Sequence, residues 1–123
     1  MIRIELLPIF PVLLAVAIGA SVLAGSATPA SAAQTTHTCK PVDVTTFPER
    51  THVRCNTAAS GGIVFFAIPT SNNEHAARIL STLLGAHLAG RTIVVGYDSA
   101  DVSGTAFGCA QHDCRRLLYV GVQ

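Results

Sequence analysis

Between residues 42 and 122 the spacing of apolar positions changes repeatedly, and each change marks an element. Residues 42–47 are rich in β-branched side chains, the mark of a first strand, and Pro48 breaks it. Residues 50–55 alternate, with Val53 and Cys55 on one face and His52 and Arg54 on the other, as in a half-buried strand. A turn of small residues, 56–62, ends in Gly61-Gly62 and leads into 63–68, which is apolar at every position and predicts a strand covered on both faces. The period then becomes helical. Ala76, Ile79, Leu80, Leu83, Leu84 and Leu88 fall on one stripe of a helix over 72–89, opened by a Ser71-x-x-Glu74 capping box and stopped at Gly90. Residues 91–97 predict a strand, 98–113 a long loop, and 115–122 a closing strand.

The resulting order, β-β-β-α-β-β, is that of an OB-fold barrel, so the expected class is mainly β with one helix. Such folds are binding platforms. A single barrel covers only one face of 63–68, so the other requires a helix or a second subunit. The helix's outer face carries Glu74, Arg78, Ser81, Thr82, Gly85 and Ala89, small residues apart from one i,i+4 ion pair. That composition suits close helix approach and predicts a homo-oligomer with Arg78, Ser81, Thr82 and Gly85 at the interface. The alternative is a monomeric exported interaction or inhibitor protein that uses the 98–113 loop, since loops of that length are uncommon unless functional or tied down.

The N-terminal stretch reads as an export signal and not as part of the domain. Arg3 gives a positive end, 6–23 is almost wholly apolar, and Ala30-Ser31-Ala32 has the form signal peptidase requires, predicting cleavage after Ala32. Pro8, Pro11 and Gly19 interrupt the apolar run and argue against an uncleaved anchor. The expected protein is secreted or periplasmic, without stable membrane insertion after processing, with 33–38 a disordered tether and 39–123 the binding domain. A domain of about ninety residues buries only about 60 to 65 per cent of its unfolded surface. Cys39, Cys55, Cys109 and Cys114 are an even set in an exported chain and read as disulfides. Three pairings exist; Cys39–Cys55 and Cys109–Cys114 are favoured because each brackets a short local segment. Each adds about 2 to 3 kcal/mol by chain entropy.

Charge and composition narrow the function. Lys and Arg number 8 and Asp and Glu 7; removing 1–32 takes away Arg3 and Glu5 together, so the mature domain keeps the formal +1. Arg115-Arg116 is the only adjacent basic pair, Trp is absent and Tyr occurs twice, which argues against a nucleic-acid partner. The five histidines form no helical zinc spacing. His112-Asp113 between Cys109 and Cys114 makes a zinc turn conceivable, but the disulfide is the stronger reading in an exported chain. No G-x-S-x-G elbow occurs, and Ser99, Ser103 and Thr105 suit turns. Asp98 and Asp101 flank a serine-containing turn and read as backbone caps. The expectation is a non-enzyme with no cofactor and no metal.

The run Gly90-Arg91-Thr92-Ile93-Val94-Val95-Gly96-Tyr97-Asp98, preceded by the 72–89 helix and followed by a close cysteine pair, resembles the B subunit of subtilase cytotoxin and related pentameric AB-toxin B subunits. That resemblance implies an OB-fold in a ring of five, helices lining its axis, glycan sites on the barrel sides, and a separate A-type subunit as partner. It implies ligand-binding roles for Tyr97, at the matching strand end, and its neighbour Asp98. The family's serine and acidic partners from the first strands have no counterpart here, Ser60 falling in a turn and Asp43 being unplaced by the motif.

Overall fold

The computed structural model describes residues 33–123, and the expected export signal, 1–32, lies outside the described residues. The strands are β1 (Gln34–Cys39), β2 (Pro41–Thr46), β3 (Arg50–Ala59), β4 (Ile63–Pro69), β5 (Ile93–Asp98) and β6 (Cys114–Val122). The helix α1 spans Asn73–Leu88 between β4 and β5, and a 3₁₀ turn occupies Ser103–Phe107. The sheet order is β1-β5-β6-β4-β3-β2, antiparallel except for the parallel β4–β6 pair.

Its two edge strands, β1 and β2, are separated in sequence by Lys40 alone. Counted as one strand broken at Lys40, they make the sheet a five-stranded, partly open barrel of OB type. The break has a cause: Pro41 has no amide hydrogen to donate to a ladder. Asn56 secures the joint, accepting from the Lys40 amide at 2.8 Å through Oδ1 and donating its own amide to the Lys40 carbonyl at 3.0 Å. The Cys39–Cys55 disulfide lies beside it, Cα to Cα 5.5 Å. The segment 33–38, expected as a disordered tether, is therefore corrected: Gln34 to Cys39 pair residue by residue with Asp98 to Ile93. Its outward positions, Gln34, Thr36 and Thr38, and two of its three inward ones, Thr35 and His37, are polar, so no apolar alternation marks it as a strand.

The interior is filled by Val53, Ile63, Phe66, Ile68, Ile93, Val95, Tyr97 and Leu117, with Ile79, Leu83 and Ala86 of α1 packed among them. The helix starts one residue later than expected. Asn72 caps it, its side chain accepting from the His75 amide at 3.2 Å, while Glu74 pairs with Arg78, so the Ser71–Glu74 box does not form. Its stop is as expected: Gly90 takes φ +63°, and the Arg91 and Gly90 amides return to the carbonyls of Ala86 and His87, a Schellman arrangement.

The outer face of β4 is covered from within the chain. Ala67 packs with the Cys109–Cys114 disulfide, flanked by Phe65 and Phe107. The requirement for a helix or second subunit over this strand is thus corrected; the 98–113 segment supplies the cover. Arginines pin that segment. Arg115 donates to the carbonyls of Ser99 (2.8 Å) and Gln111 (2.6 Å), and Arg50 to that of Phe107 (3.3 Å). Among the described residues no helix is long and apolar enough to cross a membrane.

Candidate functional site

Of the residues expected to bind ligand, Tyr97 is in the core, 1% exposed, its ring edge-on to Phe66 at 5.0 Å. This corrects its ligand role: a side chain filling the barrel offers no face to a sugar. Asp98 ends β5 and accepts from the Ala100 amide at 2.9 Å, a backbone-capping turn. Asp101 does the same for Ser103 at 2.8 Å, and hydrogen bonds from Ser103 hold its carboxyl below the usual range.

The other tyrosine takes the exposed position. Strict alternation from buried Leu117 would turn Tyr119 inward, but the β5–β6 register shifts so that Gly96 faces Tyr119 while Tyr97 faces Leu117. Leu118 is the extra residue, and this bulge re-aims Tyr119 outward. The ring, on a residue 43% exposed, lies over Gly96, where any Cβ would collide with it. Across the sheet Gly96 pairs with Thr36, and Val94 pairs with Thr38 on one side and Gly121 on the other. The outcome is a flat aromatic shelf with two threonines beside it and no side chain at Gly96 or Gly121 to obstruct approach. No sequence pattern marks it, because the bulge depends on strand pairing.

A second feature lies on the β3–β4 side. A pocket of about 180 Å³ is lined by Arg50, His52, Phe65, Ala110, His112 and Asp113. His52, expected to face solvent, is half-buried between Phe47 and Phe65, with ring centroids 5.1 Å from each. Burial, then the Arg50 charge, lowers its pKa, and Asp43 opposes them. The Arg50 guanidinium carbon stands 4.0 Å over the Phe47 ring.

The expected interface residues are on or beside the open side of α1. Arg78, Ser81 and Gly85 are exposed; Thr82 is half-buried, its hydroxyl donating to the Arg78 carbonyl at 3.1 Å. Two leucines expected on the inward stripe, Leu84 and Leu88, are instead 40% and 83% exposed. They extend the small-residue face into an apolar one.

Both expected disulfides are present and no cysteine among the described residues is free. His37 lies with Cys39 and Cys55, ligand atoms within 4.8 Å of one another, but the two sulfurs are bonded to each other and offer no thiolate pair. His37 Nε2 is 3.0 Å from the Thr57 carbonyl and 3.3 Å from its hydroxyl. A nitrogen that donates to the carbonyl has no lone pair left to accept the hydroxyl proton, so the contact positions the strand end and does not activate a nucleophile. The fold defines a small, disulfide-stapled, mainly β domain with one helix. No protein-family model, curated protein or solved structure matches this chain.

Proposed function

We propose that this chain is an exported, non-catalytic glycan-binding domain that acts as a homo-oligomer, up to a ring of five, assembled through α1. The observation that carries the ligand class is Tyr119, an exposed ring seated flat on Gly96 beside the threonine-bearing strand β1. The apolar face of a sugar packs on such a ring while its hydroxyls meet the threonines, and the flat surface admits a branched chain that a deep pocket would reject. Export is supported by the two disulfides, which persist in oxidising compartments. Self-association is supported by the open face of α1, where Leu84 and Leu88 stand among Ser81 and Gly85.

The test is a glycan array with the oxidised protein and its Tyr119→Ala variant. Loss of all binding with a Tm within a few degrees of the parent supports the reading; unchanged binding, or no binding by the parent, ends it. A second reading, a monomeric exported interaction or inhibitor protein using the 98–113 loop, draws on the burial of β4 beneath that loop, which removes one need for a partner. A monomeric native mass together with an empty array would favour it.

A further inference from the structure

We propose that the pocket beneath the 107–114 stretch binds a small organic monocarboxylate, its charge on Arg50 and its apolar body against Phe65. The inference is independent of the Tyr119 shelf, which lies on the β1-β5-β6 side of the barrel. Arg50 is half-buried, and its Nε is buried without any acceptor. The guanidinium's one hydrogen bond is the 3.3 Å contact to the Phe107 carbonyl, and the two ion pairs found among the described residues, Arg78–Glu74 and His112–Asp113, leave it out. A partly buried cation without a counter-charge is costly, and an anion entering the pocket removes that cost. The wall is shaped around this charge: Gly108, at φ +88°, stands where any Cβ would strike the guanidinium.

The neighbours choose the anion. His52 is held toward its neutral form by burial, which leaves Arg50 as the fixed positive charge of the lining. Asp113, on the same lining and 3.4 Å from His112, adds a negative charge that weighs against a doubly charged anion. A monoanion fits where a phosphate dianion does not. The rest of the lining, Phe65, Ala110 and the disulfide-bonded Cys114, is apolar, and the 180 Å³ available matches a ring-sized body, since an apolar cavity of ~150 Å³ accepts benzene.

The experiment titrates benzoate into the oxidised protein and follows the His52 and Phe65 NMR signals. Expected are saturable shifts at both residues, with benzamide and phenyl phosphate binding at least about tenfold more weakly, and a similar loss in Arg50→Gln. Absence of saturable shifts, or equal binding of benzamide, overturns the proposal. Should Arg50→Gln fail to fold, the benzoate–benzamide contrast on the unaltered protein still decides. A peptide ending in phenylalanine with a free carboxylate, set against its amidated twin, separates the sources. Discrimination between the twins points to a chain end as the natural ligand, and binding of benzoate without either peptide points to a free acid; both support the carboxylate. Binding that responds to Tyr119→Ala and not to Arg50→Gln places it elsewhere and rejects the site.

Discussion

His52 shows how an environment turns a side chain's chemistry. Packed between Phe47 and Phe65 and beside Arg50, it has a pKa below the free value of about 6.5. The unfolded chain therefore binds a proton that the folded chain resists, so this group's contribution to stability is present above the free value and is lost as pH falls through it toward the lowered folded value. His52→Gln should accordingly flatten the fall in Tm between about pH 7.5 and 5.5. An unchanged slope in thermal melts across that range would show that His52 carries none of the effect. The two tyrosines teach the complementary lesson. Both stand in apolar strands and look alike in the sequence, yet Tyr97 fills the core and Tyr119 is displayed, because one extra residue at Leu118 reverses which side of β6 faces inward. That parity is invisible in a single strand, since it is defined only against the partner's register.

At the scale of the element, α1 was legible in its existence, its stop at Gly90 and its outer small residues. What the periodicity placed wrongly was the last turn: Leu84 and Leu88 belong to a stripe too wide for the barrel beneath, which buries Ala76, Ile79, Leu83 and Ala86 and runs out before Leu88. Replacing Gly85 by Arg tests the open face. A side chain at Gly85 meets nothing within 4 Å, and Arg propagates a helix better than Gly by roughly 0.5 to 1 kcal/mol. The variant should therefore fold at least as stably as the parent and, under the assembly proposed above, run as a monomer in native mass spectrometry where the parent runs as an oligomer. An oligomer that survives Gly85→Arg does not use this face.

For the whole molecule, two bridges act on different parts. Cys39–Cys55, 16 residues apart, ties β1 to β3 beside the Lys40 joint, whereas Cys109–Cys114, 5 apart, forms the lid over Ala67. By chain entropy alone, alanine replacement of the first pair should cost about 3 kcal/mol and of the second about 2 kcal/mol. Denaturant unfolding reads both. The second pair should cost more than its entropy because the lid also buries Phe65 and Phe107; a loss well below about 2 kcal/mol would mean that Arg50 and Arg115 hold the loop unaided.

Local chemistry carried much of this architecture in the chain itself: the alternation of 50–55, the helical stripe, Gly90 as a stop, and cysteines close enough in sequence that local pairing was the simplest solution. These features rest on interactions among near neighbours, which a linear pattern records. Folding in three dimensions decided the rest. The polar strand Gln34–Cys39 exists only because β5 offers it a ladder, the all-apolar β4 needs no partner because a distant loop returns over it, and Tyr119 rather than Tyr97 reaches the surface through a bulge. Each of these depends on pairing between segments far apart in sequence, whose register and coverage no local period encodes.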